Sequence, residues 1–242
     1  CVGVCLSTME LAMFNQIAEI NEHLFLSSAA AVRGEKIRSL GITHIINCTQ
    51  DVPNLDQHGI ETYQIHIDDV PSARLNVYFD CCADKIHQVA CSGGKTLVHC
   101  VAGVSRSATI CMVYLMKYYR VSLREAYLHV KKRRSVIHPN LGFWKQMVDY
   151  ERTTLGGSSV KMVQSNAGLI PDVYVEQYPM IGFVSFIEYL GTECLYTCTH
   201  NGFLPFSKHG NKFLPSIGIP PMVIHFYKDI SYMVITFYQN TP

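Results

Sequence analysis

The 242-residue chain is short of charge: Asp, Glu, Lys and Arg make up 16% of it and balance to a formal +1. A surface so near neutral sets up no global field for nucleic acid or an anionic membrane, so any basic site must be local. Among ten cysteines there is no Cys-x-x-Cys pair and no Cys/His grouping with zinc spacing, which excludes the common structural zinc patterns. Their irregular spacing fits a reducing compartment better than a disulfide framework. Near the N-terminus no basic segment leads into an apolar run and a small-residue cleavage site, and Glu10 and Glu19 interrupt the region. No secretory leader is expected. Long apolar runs are also missing, because His225, Lys228 and Asp229 break the best candidate, so no membrane-spanning helix is expected. There is no internal repeat. The length allows one large domain, or one domain and a tail.

What is present centres on Thr96-Leu97-Val98-His99-Cys100-Val101-Ala102-Gly103-Val104-Ser105-Arg106-Ser107. The first residues are apolar or β-branched and follow Gly93-Gly94-Lys95, so they predict a short buried strand. An apolar-periodic stretch from Ala108 to Tyr119 predicts a helix. A small-residue loop that joins a strand to a helix N-terminus gathers backbone N–H groups and the positive end of the helix dipole around an oxyanion. Arg106 adds a planar fork of donors suited to two phosphate oxygens. Cys100, facing both the dipole and the guanidinium, is favoured as thiolate and nucleophile. Val101, Ala102, Gly103, Val104, Ser105 and Arg106 are therefore the candidate substrate-binding residues. A single cysteine is more often core filler; His-Cys, five residues and Arg between a strand and a helix is far more specific.

On His99 to Ser107, Tyr114-Leu115-Met116-Lys117 and Arg134 to Trp144, the chain resembles the cysteine-dependent protein phosphatases, and more closely their atypical dual-specificity branch. The resemblance covers roughly residues 17–178. It divides the chain into an N-terminal extension (1–16), a catalytic domain (17–178) and a C-terminal tail (179–242). Counted back from Tyr78-Phe79, Asp69 matches the family's general acid, with Asp68 as its neighbour. The resemblance also implies that the Ser107 hydroxyl stabilises the departing thiolate, that His99 orients the loop, and that Asn140 supports it. No metal or cofactor is implied. Ser135 and His138 stand where close relatives tend to carry proline and a basic or small residue.

Taken in order, the chain predicts an edge strand at His23–Leu26, then a helix from Ala29 to about Leu40 capped by Ser27 or Ser28. Strands follow at Ile42–Cys48 and Thr62–Ile67, and a helix at Leu75–Cys91. A further helix is capped by Ser122 with Glu125 three residues on, and a last one opens at Asn140. Alternating strands and helices argue for an α/β fold, a central, mostly parallel, twisted sheet flanked by helices. Lys131-Lys132-Arg133-Arg134 reads either as a solvated helix end or as a basic rim beside the pocket. The last sixty residues hold 12 of the 26 aromatics and only six charged side chains, with no sustained period. They predict an irregular, poorly ordered tail whose role stays open.

The reading that results is a protein phosphatase acting on phosphotyrosine and phosphoserine or phosphothreonine through a cysteinyl-phosphate. Val101, Ala102 and Val104 bring no lysine into the loop, unlike lipid phosphatases that share it. Phosphorylated proteins, with mitogen-activated protein kinases as candidates, are the expected partners; nucleic acid is not. A cytoplasmic, and also nuclear, location is expected. The alternatives are an RNA 5′-end or lipid phosphatase and a non-catalytic phosphate-binding scaffold.

Overall fold

The computed structural model of the chain describes residues 15–165 and 168–177, and four short segments at 196–199, 202–205, 222–225 and 234–237. It divides into a unit spanning Cys1–Val184 and a second spanning Ser185–Pro242.

The first unit is built on five strands: β1 (Ala18–Asn21), β2 (Leu24–Ser28), β3 (His44–Asn47), β4 (Glu61–Gln64) and β5 (Thr96–Cys100). Their order is β1-β2-β5-β3-β4. Only β1 runs antiparallel, against β2; the other three pairings are parallel. The sheet is thus mostly parallel, as expected from the alternation of elements. Strand β5 lies at the centre, with Ser28 opposite Cys100 on one side and Asn47 opposite His99 on the other. The carboxyl ends of three parallel strands therefore meet where the signature loop begins, the usual position of ligand sites in such sheets.

Both sheet faces are covered. Leu24, Leu26, Ile46, Val98 and Cys100 belong to a large core, while the alternating Phe25, Ile45 and Leu97 belong to a smaller one with Ile37 and Ile42. This is the period of two expected when both faces are buried. The small core lies under α1 (Gly34–Ser39). The large one is closed by α2 (Phe79–Cys91), α3 (Arg106–Tyr119), α4 (Leu123–Arg133) and α5 (Leu141–Leu155). Helix α3 is buried almost throughout, from Arg106 to Met116. Ser122 and Glu125 form the predicted capping box at α4, and the buried Glu151 carboxylate accepts from Leu123 N and Ser159 N, each at 2.8 Å. That carboxylate ties the start of α4 to α5.

Two expectations are corrected. Residues His23–Leu26 do not form an edge: β2 is interior and β1 is the edge. Its successive Leu24, Phe25 and Leu26 bury on both faces, which an edge strand with one wet face would not do. The single helix from Ala29 to Leu40 is instead a 3₁₀ turn at Ala29–Ala31, an extended Arg33, and α1; Ser28 makes no side-chain cap. Ala29 N–H donates to Val101 O at 3.1 Å, seating the first turn on the signature loop, and the extended backbone of Arg33 (φ −122, ψ 131) separates that turn from α1. The Leu75 helix also begins as a 3₁₀ turn, Leu75–Tyr78, before α2.

After α5 come a hairpin of β6 (Met162–Ser165) and β7 (Gly168–Pro171) and a short helix α6 (Asp172–Gln177). In the second unit the described segments form two antiparallel pairs, β8 (Tyr196–Thr199) with β9 (Gly202–Pro205) and β10 (Met222–His225) with β11 (Val234–Phe237). Strands thus occur where the sequence shows no strand period. The rest of the tail expectation, and the extension before residue 15, lie outside the described residues. No helix among the described residues is long and apolar enough to cross a membrane.

Candidate active site

The site starts at the carboxyl end of β5. Cys100 is 1% exposed, and its Sγ accepts from Gly103 N–H at 3.2 Å and from the Ser107 hydroxyl at 3.2 Å. Two donors aimed at one sulfur stabilise negative charge on it. Gly103 has φ +68, and a Cβ there would stand 2.5 Å from Ser27 C and O, so the loop turns sharply while seated against the end of β2. Only glycine serves both needs. Three other buried thiols, Cys48, Cys82 and Cys111, are pushed upward chiefly by burial and stay protonated. They are inert core residues.

Arg106 opens α3 and is 9% exposed. Its Nη1 donates to Ile67 O at 3.0 Å. Its Nε stands 3.5 Å from Asp69 Oδ2, within ion-pair range but outside hydrogen-bond geometry. A buried guanidinium N–H without a hydrogen bond at the mouth of an N–H-lined loop is a ready donor for an oxyanion.

Asp69 is brought to this loop from the segment after β4. Its Oδ1 accepts from the Ser105 hydroxyl at 2.6 Å and from Asn140 Nδ2 at 2.8 Å, and Ser105 Oγ in turn accepts from Asn140 N–H at 3.1 Å. Asn140 also caps α5, its Oδ1 accepting from Phe143 N–H at 3.0 Å. Ser105 thus has a job that the sequence did not disclose: its hydroxyl holds the acid. The neighbouring Asp68 is exposed.

Gly142 extends this support. A Cβ there would overlap the Pro71 carbonyl of the acid loop, so Gly142→Ala must displace that loop. We expect kcat to fall roughly 10- to 100-fold, more for alkyl than for activated aryl phosphates, because only poor leaving groups need the acid. Steady-state rates across a series of leaving groups check this.

His99 is buried, and its Nδ1 lies 3.4 Å from Cys100 O. Burial pushes its pKa down to about 4, opposed weakly by that carbonyl. The ring is therefore neutral at pH 7 and orients rather than transfers protons. In the unfolded chain a histidine titrates near 6.5, so between pH 6.5 and 4 the unfolded state binds the extra proton. Stability should be intact above pH 6.5 and fall by about 3 kcal/mol on the way to pH 4. His138, lowered by burial and then by Lys131, acts in the same direction. Denaturant midpoints for wild type and His99→Gln at pH 7.5 and 4.5 check this; the variant should lose less.

The basic run is a correction. Lys131 Nζ donates to Ile137 O at 2.9 Å, and Arg134 is 2% exposed, with Nε donating to Gly103 O at 2.7 Å and Nη2 to Ala102 O at 3.1 Å. Half of the expected rim charge is engaged inside the protein, because Arg134 continues the buried face of α4. Sequence reasoning also missed Tyr174. Its hydroxyl accepts from Trp144 Nε1 at 2.8 Å and donates to Pro139 O at 3.3 Å, and its ring stacks on His138 at 4.4 Å. Helix α6 thereby braces the segment that carries Asn140.

The dual-specificity phosphatase catalytic domain model matches residues 24–153, more than half of the chain. The chain belongs to the dual-specificity phosphatase family. Mouse dual specificity protein phosphatase 14 is 51% identical over 162 residues, covering 66% of this chain and 82% of that protein. Rat dual specificity protein phosphatase 18 is 43% identical over 166 residues, covering 68% and 81%. Among solved structures, human DUSP28 is 32% identical with a TM-score of 0.55, covering 57% of this chain and 93% of that one. A mouse putative dual specificity phosphatase complexed with zinc tungstate is 31% identical with a TM-score of 0.56, covering 63% and 94%.

For a dual-specificity protein phosphatase this geometry can support a two-step reaction. The Cys100 thiolate would form an S–P bond while Arg106 and the loop N–H groups hold the non-bridging oxygens. The P–O bond to the side chain would break, with Asp69 placed to give its proton to the departing oxygen. In the second step water would attack phosphorus and Asp69 take its proton. The S–P bond would then break, with Ser107 Oγ–H and Gly103 N–H placed to receive the thiolate.

Proposed function

We propose that this dual-specificity phosphatase acts on phosphorylated members of mitogen-activated protein kinase pathways, in the cytoplasm and nucleus. The observation that carries the choice of a protein phosphomonoester is the loop itself: Val101, Ala102 and Val104 add no cation to Arg106. A polyanionic inositide headgroup, or the triphosphate of an RNA 5′ end, would need several. The six free cysteines among the described residues support a reducing compartment. The kinase-pathway assignment draws on the family likeness.

The test is a substrate panel on the full chain. It includes kinase activation-loop phosphopeptides and intact phosphorylated kinases, unrelated phosphopeptides, an inositol phospholipid and a 5′-triphosphorylated RNA. Preference for phosphorylated kinases over unrelated phosphoproteins supports the proposal. Equal rates on all phosphopeptides remove the kinase assignment, and faster turnover of lipid or RNA removes the protein substrate. Capture of phosphoproteins from lysate on Asp69→Ala identifies the substrate directly.

A further inference from the structure

The backbone carbonyls of the phosphate loop can be accounted for one by one. Val101 O accepts from Ala29 N–H at 3.1 Å, and Val104 O accepts from His138 N–H at 2.9 Å. Ser105 O accepts from Thr109 N–H at 3.0 Å and from its hydroxyl at 2.9 Å. The two carbonyls between them, Ala102 O and Gly103 O, are both taken by Arg134. Each peptide unit is planar and trans, so a carbonyl drawn one way sends the next residue's N–H the other way. The Arg134 fork on Ala102 O and Gly103 O therefore directs the N–H groups of Gly103 and Val104 into the cradle. Gly103 N–H indeed points at Cys100 Sγ.

We propose that Arg134 is the positioning residue of the phosphate loop: one buried guanidinium bridges two adjacent carbonyls and thereby aims two loop N–H groups, that of Gly103 at the Cys100 sulfur and that of Val104 at the bound oxyanion. It acts through the peptide units it holds. Its Nη1 also donates to Gln16 O at 2.9 Å, so the same side chain fastens the strand entering β1 behind the loop. Lysine cannot substitute, because a single ammonium on a flexible stem lacks the planar fork that spans two carbonyls.

The experiment measures orthovanadate affinity and the split of kcat and KM on an aryl phosphate, per active site titrated, for the full-length wild type, Arg134→Lys and Arg134→Met. An inorganic oxyanion makes the result independent of which phosphoprotein is the substrate. Arg134→Lys should bind orthovanadate about tenfold more weakly, with KM raised and kcat reduced, and Arg134→Met still more weakly. Lys132→Gln and Arg133→Gln, which remove the exposed neighbours, should match wild type. A purely structural role would lower thermal stability and the titratable fraction but leave affinity per site unchanged. Wild-type affinity in folded Arg134→Lys overturns the proposal. Should both variants fail to fold, the wild-type protein decides by NMR: the Arg134 Nε proton should exchange slowly and shift when orthovanadate binds, and a freely exchanging, unresponsive proton overturns the proposal.

Discussion

Cys100→Ser should fold, bind an oxyanion and turn nothing over. Both donors to the sulfur, Gly103 N–H and Ser107 Oγ–H, come from backbone or from a neighbouring side chain that the substitution leaves in place. The loop carbonyls stay engaged by Ala29, Arg134 and His138. A serine hydroxyl, however, is a far weaker acid than a thiol and does not ionise under these two donors. The hydroxyl thus stays protonated and cannot attack phosphorus. We expect kcat on an aryl phosphate to drop by on the order of 10⁵- to 10⁶-fold, to the assay floor, while the affinity for a non-hydrolysed phosphopeptide changes little. Calorimetric titration alongside the rate assay checks both halves.

Asp69→Asn is the second large effect. The amide can still accept from Ser105 Oγ and Asn140 Nδ2, so the acid loop should keep its place. What is lost is the transferable proton, and with it general acid catalysis of leaving-group departure, worth about 10²- to 10⁴-fold. The loss should follow leaving-group basicity. It is largest for phosphoserine and phosphothreonine peptides, intermediate for phosphotyrosine and smallest for activated aryl phosphates. Uniform loss across that series would mean that the substitution damaged binding instead.

Much of this site was legible because its determinants are local. Strand, small-residue loop and helix N-terminus follow one another in sequence, so Cys100 and Arg106 fall into place from spacing, while Ser107 came from the family resemblance. The capping box at Ser122 and the cap at Asn140 are likewise written within four residues. What escaped is set by contacts distant in sequence. Ser105 holds Asp69 across 36 positions, and Tyr174 braces Pro139 across 35. No local pattern marks such pairs. Two misreadings did have a signal. Leu123, Ala126, Tyr127 and Val130 form the buried face of α4, and Arg134 lies four residues after Val130 on that same stripe, so helical phase separates it from exposed Lys132 and Arg133. Charge alone made the four look alike. The unbroken Leu24-Phe25-Leu26 likewise signalled a strand covered on both faces rather than an edge. At Ala29–Ala31 the local helical preference survives as a single 3₁₀ turn, cut from α1 by the extended Arg33.

The central claim is that phosphate passes through Cys100. Rapid acid quench of Ser107→Ala during turnover of an aryl phosphate, followed by peptide mass spectrometry, tests it most directly. Without the hydroxyl that receives the departing thiolate, the second step slows and the intermediate accumulates. A phosphate group carried on Cys100, formed in a burst equal to the enzyme concentration and absent from Cys100→Ser, is the predicted result. Turnover with no phosphocysteine at any quench time, or phosphate carried on another residue, would contradict it.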